Sequence, residues 1–395
     1  MVDSFIPQIR FKMCKNQWEK NKLSKIAKFN PKSTLPEKFK YVDLESVLGT
    51  DLISYREVSR ENAPSRAQRL AQKGDIFYQT VRPYQKNNYL FDSDEKDYVF
   101  STGYAQLRPL IDSAFLLARL QEESFVNKVL ERCTGTSYPA INSKDLSKIS
   151  VTIPQTTEEQ SAIGSLFRTL DDLLASYKDN LANYQSLKET MFSKMFPKAG
   201  QTVPEIRLDG FECDWEIKRA DEIFKSVSKK NKASLPVLSA SQIDGMVLRD
   251  EIGIDIKYDE ATLSNYKVVK PGQFVIHLRS FQGGFALSKL EGITSPAYTI
   301  IDFIDKENNL PSFWNLILTS RDFIKRLETV TYGIRDGKSI SFKDFSSLKF
   351  VFPNFKEQQA IGSYFSNLDN LINSHQEKIS QLETLKKKLL QDMFI

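Results

Sequence analysis

The residues of this 395-residue chain whose types could do chemistry are spaced in ways that argue against each reaction in turn. Methylation of the adenine amino group calls for Asn or Asp followed by Pro-Pro and an aromatic, which hold the amino group by hydrogen bonds and the base by stacking. The nearest stretch, Ser295-Pro296-Ala297-Tyr298, lacks the Asn or Asp and the second proline, and reads as a turn leading into a strand. Gly333-Ile334-Arg335-Asp336-Gly337-Lys338-Ser339 resembles a phosphate-cradling loop, but only three residues separate its glycines and no helix pattern follows. Glu216-Ile217-Lys218, after Asp209, has the acid-x-lysine form of a nuclease site. Its counterpart earlier in the chain, Glu19-Lys20, lacks the spacer, so a surface charge pair is expected. The two histidines, His277 and His375, are far apart and neither sits with a plausible Ser or Cys nucleophile. Cys14, Cys133 and Cys213 are too few and too scattered for a disulfide framework or a zinc site. The sequence reads as that of a binding protein without catalysis of its own.

Composition fits that reading. With 41% hydrophobic residues the chain can bury two ordinary cores. Its net charge of +5 is a weak signal for nucleic acid, although lysines cluster in residues 12–40 and 225–232. No apolar run approaches the roughly 18 residues of a membrane span, and Met1-Val2-Asp3-Ser4 does not resemble a secretion signal. The expected setting is the cytoplasm, without a membrane partner.

The elements that must position any binding groups come in two copies. A shift of 198 sets Glu159-Gln160 on Glu357-Gln358, Ala162-Ile163-Gly164-Ser165 on Ala360-Ile361-Gly362-Ser363, and Met195-Phe196 on Met393-Phe394. The same shift pairs Gly74 with Gly272, Phe115 with Phe313 and Gly135 with Gly333. Each copy opens on Pro-x-Ile-Arg (residues 7–10 and 204–207) followed by Trp-Glu at Trp18 and Trp215. The agreement is strong after Glu159 and sparse before it, so a constant part alternates with a variable one. Strands are expected after Gly74 and Gly272 and at 298–301. One amphipathic helix per copy is expected at 113–132 and 312–329, then a short strand ending at Pro154 or Pro353.

The constant part carries the clearest periodicity. Ile163, Phe167, Leu170, Leu174, Leu181 and Leu187 recur at intervals compatible with a helical seam, as do Ile361, Phe365, Leu368, Ile372, Ile379 and Leu385. A helix of that length cannot bury its stripe on a small head alone, and its natural mate is the other copy, packed antiparallel with the heads held apart. The expected fold is mixed α+β: recognition domains at 1–152 and 201–351, and long helices at 153–200 and 352–395 paired as an antiparallel coiled coil with internal pseudo-two-fold symmetry.

The duplicated Pro-x-x-x-x-Glu-Gln-x-Ala-Ile-Gly-like stretches (154–164 and 353–362), the long helices ending in Met-Phe and the Pro-x-Ile-Arg and Trp-Glu starts resemble the specificity subunit of type I restriction-modification systems. The gap before the acidic residue differs by one between the copies, and the resemblance covers essentially the whole chain. It implies that each variable region reads one half of a bipartite, asymmetric target in double-stranded DNA. It also implies that the helices set the spacer and hold two methyltransferase (modification) subunits, with restriction and translocase subunits as further partners. No cofactor is expected on this chain; S-adenosylmethionine and ATP with Mg²⁺ are expected on the partner subunits.

The family offers no fixed base-reading residues, so candidates come from chemistry: Arg or Lys for guanine, Asn or Gln for adenine, and lysines and hydroxyls for phosphates. In the first head these are Arg82, Gln85 and Lys86 after the Gly74 strand, and Tyr138 and Lys144 after Gly135. In the second they are Arg279 and Gln282 after the Gly272 strand, with Arg335, Lys338 and Lys343 around and beyond Gly333. The rival reading is a pseudo-symmetric scaffold whose heads bind other proteins.

Overall fold

Gly74 and Gly272 show why landmarks survive where the heads otherwise diverge. Both have left-handed backbone, φ +89° and +85°, which glycine adopts without the clash a Cβ brings. Each turns the chain into a central strand, Ile76–Gln79 or Phe274–Ile276. The computed structural model describes residues 7–12, 14, 16–135, 137–198, 200–241, 244–252, 260–277, 284–328 and 341–394.

The chain divides into two units, one made of Met1–Leu181 with His375–Ile395 and the other of Ala182–Ser374. Both contain the same four-stranded antiparallel sheet. In the first unit the order is Ala27–Phe29, Tyr104–Pro109, Ile76–Gln79, Tyr89–Leu90; in the second it is Phe224–Val227, Thr299–Phe303, Phe274–Ile276, Phe285–Leu287. The central strands are buried on both faces because side chains alternate. Ile76 and Tyr78 join the core beneath the helices, whereas Phe77 points into a second core and stacks on Phe100 at 3.6 Å. Phe274 and Ile276 repeat the first role, and Val275 the second.

What covers that second core differs between the units. In the first it is a four-stranded sheet ordered Arg56–Ser59, Lys38–Val42, Tyr98–Ser101, Ala67–Leu70, with one parallel pairing, Lys38–Val42 with Tyr98–Ser101. In the second it is two separate two-stranded ladders, Leu238–Ser241 with Gly245–Leu248 and Lys267–Val269 with Gly292–Thr294. The variable part of the sequence is thus a variable outer layer on a constant sheet.

The single helix expected at 113–132 is two, Ser113–Gln121 and Glu123–Leu130. Glu122 is extended between them, and its carboxylate accepts from the Ser124 and Phe125 amides and from buried Arg119, 2.6 Å away. Burial alone would raise this carboxyl; hydrogen bonds from the Ser124 hydroxyl and amide, with the Arg119 guanidinium, bring it below the usual range. The second copy also breaks, into Pro311–Leu318 and Arg321–Glu328.

Each head returns to its long helix through a two-stranded ladder, Glu19–Lys22 with Ser150–Ile153 and Glu216–Arg219 with Lys349–Phe352. Glu216 and Lys218 form the expected exposed charge pair at 2.6 Å, and Ser295–Tyr298 forms the expected turn, with the Tyr298 amide donating to the Ser295 carbonyl.

The long helices run Thr157–Met195 and Phe355–Asp392. In the first unit Asp171 pairs with Lys386, and Lys178 with Glu383 at 2.9 Å; one number rises as the other falls, so the segments are antiparallel. The second unit repeats the first of these pairs in mirror fashion, Lys188 with Asp369 at 2.5 Å. Of the seam positions, Ile163, Phe167, Leu170, Leu174, Ile361, Phe365, Leu368 and Ile372 are buried, and Leu181 and Ile379 are half-buried. Leu187 and Leu385 depart from the pattern, at 41% and 45% exposure, because a two-helix pair covers only one stripe of each helix.

The duplicated motifs turn out to be clasps. Arg10 donates to both Glu159 oxygens, at 2.6 and 2.8 Å, and Trp18 Nε1 donates to the same carboxylate; Arg207 does the same to Glu357, at 2.9 and 2.6 Å. Both carboxylates are almost wholly buried, so each needs its guanidinium. The neighbouring glutamines, Gln160 and Gln358, donate to the Pro154 and Pro353 carbonyls and accept from the Asp112 and Leu310 amides. A Cβ at Gly164 would lie 2.7 Å from the Phe115 nitrogen, so only glycine lets the helix approach the head this closely.

The Met-Phe ends pack crosswise, each on the head of the other copy. Phe394 lies within 5.7–6.2 Å of the Trp18, Phe115 and Phe167 rings, and Phe196 within 5.8–6.1 Å of Trp215, Phe313 and Phe365. The Ile9 amide donates to the Asp392 carbonyl and the Ile206 amide to the Lys194 carbonyl, satisfying acceptors that a helix end leaves open. Each Pro-x-Ile-Arg segment therefore ties the start of one long helix to the end of the other.

His277 follows the central strand of the second unit, its amide donating to the Gly284 carbonyl and its ring edge-on to Tyr298. Burial holds its imidazole below the ordinary value of 6.5. On acidification the unfolded chain therefore takes the proton first, and stability that is complete above 6.5 is lost as pH falls toward the depressed folded value. Denaturant titrations of the second unit's transition at about pH 7.5 and about pH 5.5 should show a lower midpoint at the acid end. His277→Phe should reduce that difference; an unchanged difference would show that other groups cause it.

Candidate DNA-recognition surface

After strand Ile76–Gln79 the chain makes a tight turn, Pro83–Gln85, framed by two non-glycine residues in left-handed conformation, Arg82 (φ 55°, ψ 55°) and Lys86 (φ 56°, ψ 28°). Such backbone persists only where its surroundings over-determine it. Here buried amides do so. Gln79 donates to the Val81 carbonyl at 2.6 Å and to Gln85 Oε1 at 2.9 Å, Asn88 accepts from the Gln79 amide, and Gln121 donates to the Lys86 carbonyl. Gln79, Asn88 and Gln121 are themselves buried.

The segment after Gly135 meets this turn. Ala140 bridges to both Val81 and Thr134, and the Arg82 amide donates to the Pro139 carbonyl at 2.8 Å. Tyr138 is thereby brought to Arg82, whose guanidinium lies 4.5 Å from the centre of its ring. Arg82, Gln85, Lys86 and Tyr138, separate in sequence, form one surface. Lys86 is not available as a free cation, since Glu123 holds its ammonium at 2.7 Å. Lys144 lies apart, exposed in the short helix Ser143–Ser147, and Lys343 is exposed in the matching helix Phe342–Ser346. Both helices are capped alike, Asn142 accepting from the Asp145 amide and Ser341 from the Asp344 amide. Arg279, Gln282, Arg335 and Lys338 lie outside the described residues, as does the glycine-rich 333–339 stretch.

Sequence reasoning missed Tyr84, half exposed at the tip of the turn, and the buried Gln79, Asn88 and Gln121 that support it. The Pro83-Tyr84-Gln85 tripeptide was the available signal for a turn with an aromatic at its tip.

A constant frame carrying two heads with different outer layers, one of them ending in a rigid turn of directional donors, defines a class: a duplicated recognition protein. The family described as the type I restriction modification DNA specificity domain matches residues 15–183 and 212–384, and the chain belongs to that family. It is 24% identical over 302 residues to the specificity subunit of the type I restriction enzyme MjaVIII of Methanocaldococcus jannaschii, spanning 72% of this chain and 70% of that protein. It is also 24% identical over 211 residues to the HindI specificity subunit of Haemophilus influenzae, spanning 52% of this chain and 45% of that one. Among solved structures, the type I restriction-modification S subunit from M. genitalium superposes with a TM-score of 0.63 at 14% identity, covering 99% of both chains. A chain from a study of complex assembly in the type I system gives 0.52 at 20% identity, covering 94% of this chain and 96% of that one. Both show the same mixed α+β fold with two repeated domains and long helices. The chain is a DNA-specificity subunit, a non-catalytic member of a type I restriction-modification system.

Proposed function

We propose that the heads, 1–152 and 201–351, each read one half of a bipartite DNA target. In this reading the helices, 153–200 and 352–395, set the spacer and dock two methyltransferase subunits. Restriction and translocase subunits join the complex, S-adenosylmethionine and ATP with Mg²⁺ are bound by those partners, and the assembly acts in the cytoplasm. The observation that carries this is the division of labour in the fold: the central sheet and the clasps are alike in the two units, while the outer layers differ. Independent recognition of two unlike half-sites needs that arrangement. Docking is supported by leucines left exposed beside the reciprocal ion pairs, Leu173 and Leu385 in the first unit and Leu187 and Leu371 in the second.

The deciding experiment is methylome sequencing of a host that expresses this chain with its methyltransferase partner. A bipartite methylated motif that disappears without this chain is expected. A motif unaffected by its removal would sink the proposal in favour of the protein-binding scaffold, which family membership already disfavours.

A further inference from the structure

We infer that Arg82 reads a guanine in the half-site of the first head, and that Tyr138 is the positioning residue that holds its guanidinium for the task. The inference rests on the function proposed above and names the base and the side chains through which one head would act.

The turn is built before any ligand arrives. Its left-handed residues, Arg82 and Lys86, are held by hydrogen bonds from two buried amide side chains, Gln79 and Gln121, and by the pairing of residues 81 and 82 with 139 and 140. Rigidity of this kind serves recognition, because donors held in place lose little freedom on binding. Some guanidinium groups of this head are neutralised by a carboxylate; others, among the described residues Arg60, Arg66, Arg69, Arg82 and Arg132, are not, and Arg82 differs from the rest of these in its aromatic partner. Arg56 pairs with Asp43, Arg108 with Asp75 and Arg119 with Glu122, whereas among the described residues no carboxylate pairs with Arg82. Its partner is the Tyr138 ring, 4.5 Å away and itself 61% exposed. A guanidinium against an aromatic face keeps its charge and its donor fork. Two parallel donors match the O6 and N7 acceptors on the major-groove edge of guanine; adenine presents one acceptor and one donor there.

The test uses the whole complex in cells, reading the methylated motif for the unaltered chain and for Arg82→Ala, Tyr138→Ala and Tyr138→Phe. Binding of short duplexes changed at one base pair at a time gives the discrimination. For Arg82→Ala, discrimination at one G·C pair of one half-site should fall roughly 5- to 150-fold, with the other half unchanged. Tyr138→Ala should relax the same base pair, and Tyr138→Phe, which keeps the ring face, should retain it. Arg82→Gly suits the left-handed backbone and replaces Arg82→Ala should the latter unfold the turn. An intact motif in the Arg82 variants, a first-head half-site without G·C, or equal loss on cognate and random DNA would each overturn the assignment, the last making Arg82 a phosphate contact. An unaltered complex that methylates without any motif would instead overturn the function proposed above, and this inference with it.

Discussion

Glu159→Ala should lower the melting temperature of the first unit by about 6 to 20 °C. The carboxylate accepts two hydrogen bonds from Arg10 and one from Trp18, and its removal strands a guanidinium that is itself only 11% exposed. Breaking a buried pair by deleting one partner costs about 3 to 5 kcal/mol, and a unit of this size melts roughly 2 to 4 °C lower per kcal/mol. Glu357→Ala should do the same to the second unit through Arg207, whose side chain is 13% exposed. Scanning calorimetry of the purified chain measures both. A shift under about 2 °C would show that the clasps are as weak as surface ion pairs.

Exchanging residues 23–149 for the matching segment of a relative with another target should replace one half of the methylated motif and leave the other half and the spacer unchanged. The cut points lie just inside the ladder of Glu19–Lys22 with Ser150–Ile153, so Trp18, Glu159 and both long helices stay in place. The motif of the chimera in cells is the measurement. Alteration of both halves would mean that the heads do not read independently.

The duplication, the long helices and the sheet strands were legible because each rests on a local signal: a repeated motif, a helical period, a glycine at positive φ. The role of the motif was not. Glu-Gln reads as an exposed helix start, yet Arg10 lies 149 residues from Glu159, and a pairing that distant leaves no local pattern. The break at Glu122 was hidden because the apolar period continues through it; the capping carboxylate and Arg119, not the period, decide the geometry. Leu187 and Leu385 kept the period too, but period alone cannot tell a covered stripe from an open one. For the recognition surface, the strand and its glycine located the turn. The meeting of Arg82 with Tyr138 depended on the ladder between residues 81 and 140, which no short-range pattern encodes.

The crosswise packing of Phe196 and Phe394 sets an order of events at the ribosome. The second unit is continuous, Ala182–Ser374, and all its parts emerge in one pass. The first head is translated earlier yet stays unfinished until His375–Ile395 appears, and meanwhile Trp18, Phe115 and Phe167 lack the Phe394 ring that packs on them. A nonsense codon or proteolytic nick in that late segment would injure the head made first, not the one made second. Nascent chains would show it as chaperone dependence of the early head, relieved once Phe394 leaves the exit tunnel.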